Sequence, residues 1–165
     1  MKRSRKFDGK KLNWLRAGKE FAVLVVIAFL VFRFVIGVSF VSGNSMYPTL
    51  NNGQPVIYNR LDRSYDRGDI ISVRMPNGEY LVKRIIAVEG DSVDIHDGCV
   101  WINGVLETDD WVNGETFASE GAALSYPFKV GAGMIFVMGD NREVSVDSRE
   151  IGEIAVSQIR GKISG

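Results

Sequence analysis

Apolar residues are arranged in two different ways on either side of residue 42. From 21 to 41 they form one run that contains no acidic residue and a single base, Arg33. Roughly 20 helical residues cross about 30 Å of hydrocarbon, so the run predicts one membrane-spanning helix. Arg33 follows twelve apolar residues, and we expect its guanidinium to reach toward the outer headgroups. The helix should then end near residue 37, and residues 38–42 should leave the membrane as extended chain.

A cleavable signal peptide is the competing interpretation of this run. Its apolar core would span about 7–15 residues and end in small residues of the Ala-x-Ala type. The run is longer than that, and the segment from Val38 to Gly43 is a poor cleavage site. The sequence therefore favours a basic tail (1–20), a transmembrane anchor (21–41) and an exported domain (42–165).

Beyond residue 42, short β-branched and aromatic runs alternate with turn residues. The runs that predict strands are Pro55–Asn59, Asp69–Arg74, Tyr80–Val88, Ser92–His96, Cys99–Ile102 and Met134–Met138. Dipeptides such as Asp97-Gly98 between two such runs are typical of tight hairpins. Many short strands at close spacing indicate a mostly β, antiparallel domain. The segment 109–126, rich in Gly, Ser and acidic residues, predicts an exposed loop.

The zero net charge conceals a strong asymmetry. Residues 1–20 carry eight Lys or Arg and two acidic residues, a net +6, and the remainder carries −6. A basic tail beside an apolar run keeps the N-terminus in the cytoplasm and sends the following domain to the other side of the membrane. Nucleic-acid binding and a merely solvated tail are the alternatives, and we predict no nucleic-acid partner.

Cofactor chemistry has little support in the composition. The chain has one cysteine, Cys99, and one histidine, His96. A single cysteine forms no intramolecular disulfide, and the two residues fall short of any zinc-binding pattern. We therefore predict neither metal nor cofactor.

Lys83 lies inside an apolar strand. Alternation along a strand predicts one face formed by Leu81, Lys83, Ile85 and Ala87, and the opposite face by Tyr80, Val82, Arg84 and Ile86. Desolvation among apolar neighbours lowers the pKa of a lysine, and a neutral amine is a usable general base. Most strand lysines instead extend to solvent or pair with acids, so Lys83 alone does not decide the function.

Ser45 lies in a turn suited to a nucleophile. Gly43 permits unusual backbone angles before it, and Pro48 fixes the chain after it. Such a turn presents the hydroxyl with its own N–H directed at the same space, which suits an oxyanion site. An ordinary loop serine is the alternative.

Four blocks, in order, make the pattern specific. They are Ser45–Leu50, Arg67–Ile70, Lys83-Arg84 followed by Glu89-Gly90-Asp91, and the Gly139–Gly152 run that begins Gly-Asp-Asn-Arg. In this order the chain resembles the type I signal peptidases, in their short single-span form. The resemblance implies a compact antiparallel β catalytic domain after one transmembrane helix, in a bacterial cell membrane with the N-terminus cytoplasmic.

The activity that the resemblance implies is removal of signal peptides from exported preproteins by a serine–lysine dyad. Ser45 would be the nucleophile, and Lys83 the general base that later protonates the leaving amine. Ser145 would hydrogen-bond Lys83 and orient its amine. Gly43 stands where some family members place a serine that helps to hold the oxyanion, which leaves the second oxyanion donor open.

Further residues would support this pair. Asp147 and Arg149, expected on the same strand face as Ser145, would brace their loop, and Asp140 would pair with Arg84. The implied substrate is an extended segment with small residues before the scissile bond, which would dock by strand addition and give Ala-x-Ala selectivity. An apolar surface resting on the bilayer is expected from Phe40, Val41, Met46 and Tyr47.

Two rival functions remain. A serine–histidine mechanism would have to use His96, which lies in a strand-like run where a packed or solvated histidine is more common. A specialised or non-catalytic factor in surface-protein or pilin assembly could share the fold, but a non-catalytic factor would not need both Ser45 and Lys83.

Overall fold

A long helix precedes the β-domain. The computed structural model describes residues 9–119 and 124–163, and α1 runs from Gly9 to Phe34. Much of the predicted cytoplasmic tail, residues 1–8, lies outside the described residues. Within the described part of the chain, no helix is long and apolar enough to cross a membrane.

The apolar run 21–41 is divided between two elements. The helix ends at Phe34, not near 37 as predicted, and β1 begins at Ile36. The β-branched residues after Phe34 favour an extended chain, and Tyr58 requires glycine at position 37, because a Cβ there would lie 2.1 Å from its ring. The backbone of 36–40 pairs with the strand that carries Tyr58, so tertiary pairing outweighs the apolar character of the run.

Eleven strands are described, and all of their pairings are antiparallel. They are β1 Ile36–Phe40, β2 Pro55–Asn59, β3 Ile70–Arg74, β4 Tyr80–Val88, β5 Ser92–His96, β6 Cys99–Ile102, β7 Val105–Leu106, β8 Phe128–Lys129, β9 Met134–Met138, β10 Ile154–Ala155 and β11 Ile159–Ile163. A four-residue helix, α2 Ser148–Ile151, and a 3₁₀ turn at Val156–Gln158 complete the elements. The prediction of a mostly β, antiparallel domain is confirmed.

The strands form two sheets. The larger has the order β1-β2-β11-β3-β4-β9-β10, and the smaller has the order β7-β6-β5-β8. Asp97 and Gly98, both with positive φ, make the predicted tight turn between β5 and β6. The larger sheet carries Lys83 and Arg84 of the candidate site on β4, and the other residues of the site lie in loops beside it.

A bulge in β4 changes the predicted alternation. The register with β9 shifts between Ile85 and Ala87, so Ile86 is inserted opposite that strand. As a result Ile85 packs with Ile71 and its neighbours, whereas Ala87 packs in the separate core shared with β5 and β6. The prediction that Lys83, Ile85 and Ala87 share one face is therefore wrong at Ala87.

Candidate active site

The turn that carries Ser45 is anchored from below. The side chains of Met46 and Leu50 are buried in one core cluster, and Leu50 N donates to Met46 O at 2.8 Å. Gly43 has φ +81°, with open space where a side chain would project, so its backbone conformation alone explains glycine at this position. Ser45 itself stays half-buried at the top of this turn.

Lys83 reaches the Ser45 hydroxyl from the centre of the sheet. Its Nζ lies 2.8 Å from Ser45 Oγ, and the residue is 3% exposed. It stands opposite Ile71 on β3 and two residues from Ile85, both fully buried. Burial lowers the pKa of Lys83 to about 8, while Asp147 and Asp140 act to raise it and Arg149 to lower it further. A substantial fraction of this amine is therefore neutral in mildly alkaline solution and able to accept a proton.

A second loop is joined directly to the Ser45 turn. Asn141 N donates to the carbonyl of Ser45 at 3.0 Å, and Asn141 Nδ2 donates to the carbonyl of Asn44 at 3.2 Å. Gly139 makes this approach possible, because a Cβ there would lie 2.3 Å from Ser145 Oγ and 2.4 Å from the Ser45 carbonyl oxygen. The backbone of this loop thus fixes the position of the Ser45 peptide.

Asp147 and Arg149 hold this loop closed. Asp147 is fully buried, and its carboxylate accepts from Arg149 Nε at 2.8 Å and from Gly139 N at 3.1 Å. Arg149 also donates to the carbonyls of Arg142 and Ser145. The predicted strand through these residues is wrong: Asp147 is the N-cap of α2, since its side chain accepts from the backbone N–H of Arg149.

Ser145 does not form the predicted hydrogen bond with Lys83. The residue is 6% exposed, and its Oγ is buried without a hydrogen-bond partner among the residues that the structure describes. The reason is local: Ser145 lies in irregular chain before α2, not in a strand, and its side chain packs against the backbone of Gly139.

Arg84 connects three parts of the site. Its guanidinium makes two hydrogen bonds with the buried carboxylate of Asp140, at 2.8 and 2.7 Å, and donates to the carbonyl of Gly68 at 2.8 Å. A longer contact of 3.4 Å reaches Thr49 Oγ1 in the Ser45 turn. The Trp111 ring lies over the guanidinium, with its centre 4.3 Å from Cζ.

Part of the segment 109–126, which was predicted as an exposed loop, is bonded to the Gly-Asp-Asn-Arg segment. Asn113 N donates to the carbonyl of Asp140, and Arg142 N donates to the carbonyl of Asn113. The buried side chain of Arg142 donates to Thr116 Oγ1 at 3.1 Å and to Glu107 Oε2 at 3.0 Å. Residues 120–123 of this segment lie outside the described residues. The indication of these contacts in the sequence was the arginine of the Gly-Asp-Asn-Arg block. Its partners, Glu107 and Thr116, come together with it only in the folded loop.

The predicted apolar surface is half correct. Phe40 and Tyr47 are 69% and 49% exposed, whereas Val41 and Met46 are 4% and 0% exposed. The expectation that Val41 and Met46 lie at the surface is wrong, because both belong to the core cluster under the Ser45 turn.

Neither His96 nor Cys99 takes part in this arrangement of Ser45 and Lys83. His96 lies on β5 in the smaller sheet, stacked on Trp101 and 3.0 Å from the carboxylate of Asp97. Cys99 faces it across the hairpin as a free, half-buried thiol. Over residues 9–119 and 124–163, no three His, Cys, Asp or Glu side chains form a group that could hold a metal ion.

Comparison with known proteins shows the family of this chain. The family model described as "Signal peptidase, peptidase S26" matches residues 14–165. The chain belongs to this signal peptidase family. Signal peptidase I T of Bacillus subtilis (strain 168) is 36% identical over 166 residues, covering 92% of this chain and 84% of the relative. Signal peptidase IB of Staphylococcus aureus (strain Mu50) is 31% identical, covering 93% and 87%.

A solved structure supports the same family. The crystal structure of a signal peptidase I from Enterococcus faecalis V583 matches with a TM-score of 0.54 and 30% identity, over 61% of this chain and 97% of that one. The predictions of the signal peptidase family and of a serine peptidase of the signal peptidase I type are confirmed.

Proposed function

We propose that this signal peptidase is a membrane-associated serine endopeptidase that uses Ser45 and Lys83 to remove N-terminal signal peptides from exported preproteins. The observation that carries the proposal is the 2.8 Å contact between Ser45 Oγ and the buried Nζ of Lys83. A buried lysine with a pKa of about 8 is partly neutral in mildly alkaline solution and is suited to proton transfer there.

The reaction needs one amine and one hydroxyl. Neutral Lys83 takes the Ser45 proton while Oγ attacks the scissile carbonyl carbon, giving a tetrahedral oxyanion beside the Ser45 turn. The resulting Lys83 ammonium protonates the leaving amine as the C–N bond breaks, which leaves an ester on Ser45. Water, deprotonated by Lys83, then attacks the ester carbonyl, and Lys83 passes that proton to Oγ as the ester bond breaks. The signal peptide leaves with a carboxylic acid terminus, which ionises by losing its remaining proton to solvent.

Ser145 has a role in the ester stage of this proposal. Once Ser45 Oγ is acylated, it is a weaker partner for the amine of Lys83. Ser145 Oγ is a buried hydroxyl with no hydrogen-bond partner among the described residues, and we assign to it the orientation of Lys83 at that stage. Asp147 and Arg149 hold the Ser145 backbone, and the Arg84–Asp140 ion pair holds β4 against the same loop.

Two unpaired strand edges support docking of an extended substrate. Among the described strands, β1 is at the edge of the larger sheet and pairs only with β2. The first half of β4 pairs with β3 alone, because β9 pairs with β4 from Arg84 onward. The backbone groups of the first half of β4, whose Lys83 contacts Ser45, would allow a peptide to bind there by strand addition. We propose that small side chains are required next to the scissile bond, where the packed turn leaves little room.

A membrane location is part of the proposal. Helix α1 exposes large apolar side chains, among them Phe21, Leu24, Phe29 and Phe32, and the chain carries a net +6 over residues 1–20. We propose that this apolar surface enters the lipid with the N-terminus on the cytoplasmic side, and that Phe40 and Tyr47 face the bilayer. Flotation of the full chain with phospholipid vesicles tests this location, and a chain that stays unbound contradicts it.

The function is tested by cleavage of a vesicle-bound preprotein with alanine at the third and first positions before the expected cut. We expect one product whose new N-terminus follows the second alanine. A matched substrate with leucine at the position next to the cut should react about 10²-fold more slowly, because a pocket for a methyl group excludes it. No cleavage of several such preproteins would contradict the proposal and favour a non-catalytic role in surface-protein assembly.

A further inference from the structure

The Trp111 ring covers the guanidinium of Arg84, the residue that follows the candidate base Lys83. Its ring centre lies 4.3 Å from Arg84 Cζ, within the range of a cation–π contact. The edge of the indole packs on Gly68, where an added Cβ would lie 3.5 Å from Cη2. The indole Nε1 is buried and has no hydrogen-bond partner within the described part of the chain. Trp111 therefore contacts Arg84 through the face of its ring and not through its N–H group.

Arg84 connects every backbone segment of the candidate site. It follows Lys83 on β4, contacts Thr49 in the Ser45 turn, and holds Asp140, which precedes the residue that donates to the Ser45 carbonyl. The Arg84 and Asp140 side chains are 7% and 0% exposed, so their pairing depends on exclusion of water. A change in this ion pair would reach both Ser45 and Lys83.

We propose that Trp111 is a positioning residue for the Ser45–Lys83 pair and that it acts through Arg84. By shielding the Arg84–Asp140 ion pair from water, the indole keeps the negative charge of Asp140 balanced by Arg84. The charge of Asp140 then stabilises the Lys83 ammonium less than an unbalanced carboxylate would, and the amine stays available as a base. This inference rests on the proposed role of Lys83.

The charges that act on Lys83 determine whether loss of the Trp111 ring raises or lowers the pH at which Lys83 becomes a base. Asp140 and Asp147 favour its ammonium form, Arg149 opposes it, and burial is the largest influence against it. Loss of the indole admits water and loosens Arg84 from Asp140. Both changes favour the ammonium form, so the pH at which Lys83 becomes a base rises.

The test is the pH profile of kcat/KM for full-length Trp111→Leu and Trp111→Phe on vesicles. For Trp111→Leu we expect the acid limb to move up by about half to one pH unit, which lowers kcat/KM at pH 7 by about three- to tenfold and restores it at high pH. Trp111→Phe keeps a ring over Arg84 and should show the wild-type limb. The matched control is Trp101→Leu, at a half-buried tryptophan of the smaller sheet whose Nε1 also lacks a hydrogen-bond partner within residues 9–119 and 124–163, and this change should not move the limb.

Each outcome decides one question. A limb unmoved in Trp111→Leu, or activity lowered equally at every pH, overturns the inference. If Trp111→Leu does not fold, the flexible side chain of Trp111→Met replaces it. Failure of both to fold, beside a folded and unshifted Trp111→Phe, would make the residue purely structural and also overturns it. Lys83→Met in the same series separates the two proposals. If that variant still cleaves, the proposed function fails. If it is inactive, the role of Lys83 holds and the Trp111 variants test the further inference by themselves.

Discussion

Replacing Lys83 by methionine is expected to lower kcat/KM for preprotein cleavage by at least about 10³-fold, because Ser45 then has no base within reach. The unbranched methionine side chain fills similar space without a charge, so the sheet should keep its packing. Ser45→Ala should cause a loss of the same order, and the double variant should be no worse than either single one, because the two groups act as a unit.

The stability of Lys83→Met provides an independent check. The pKa of Lys83 is about 8 in the folded protein, against 10.5 for an unperturbed lysine, so its ammonium destabilises the folded state at every pH below 8. Lys83→Met removes that cost, and its free energy of unfolding at pH 7 should exceed that of wild type by about 2–3 kcal/mol. The difference should shrink as the pH rises from 8 to 10.5, since the folded-state amine is then neutral and the unfolded-state amine progressively loses its proton, and it should vanish above 10.5, where the amine is neutral in both states.

Urea unfolding at pH 7 and pH 10.5, together with the cleavage assay, measures both effects. Lys129→Met is the matched control, because Lys129 is an exposed lysine on β8 of the smaller sheet. It should leave both activity and stability near wild type. A Lys83→Met protein that cleaves at a tenth of the wild-type rate or better would show that another group is the base.

Replacing Asp147 by alanine should lower the free energy of unfolding by about 3–5 kcal/mol, the usual cost of leaving a buried ion without its partner. The change removes the acceptor of Arg149 Nε and of Gly139 N while the Arg149 guanidinium, 7% exposed, stays buried. Denaturant unfolding of the purified chain measures the loss. Any residual activity should have its acid limb at lower pH, because Asp147 acts to raise the pKa of Lys83.

Two variants calibrate this result. Asp97→Asn removes the charge of a carboxylate that is 91% exposed and paired with His96, and asparagine tolerates the positive φ of this turn position, so it should change stability by less than about 1 kcal/mol. Asp147→Asn keeps acceptor oxygen but loses the charge, and should fall between the two. A loss below about 1 kcal/mol for Asp147→Ala would show that the loop does not depend on this ion pair.

Local pattern predicted the strands whose ends carry turn residues. The run Tyr80–Val88, bounded by Asn77-Gly78 and Glu89-Gly90, is β4 with the same limits, and Asp97-Gly98 is the turn between β5 and β6. Two of the strands that were missed depend on distant partners. β1 belongs to an apolar run that reads as helix until it pairs with β2, and β11 joins β2 to β3 from the far end of the chain.

The residues of the site likewise divide into those that local sequence predicted and those that depend on distant contacts. Ser45 and Lys83 could be chosen from their blocks and from the resemblance, but the burial of Met46 follows from a turn that folds back over the core. Trp111 and Glu107 carry no motif, and they meet Arg84 and Arg142 only because the loop closes on the Gly-Asp-Asn-Arg segment. The β4 bulge likewise leaves no mark in the apolar alternation of the strand.

The central claim, that Lys83 is the base for Ser45, is tested most directly by the pH dependence of kcat/KM for the full-length protein and for His96→Ala. We expect a single acid limb near pH 8, since activity requires neutral Lys83, and the same limb in His96→Ala. An acid limb that disappears in His96→Ala would assign the proton transfer to the histidine and contradict the account.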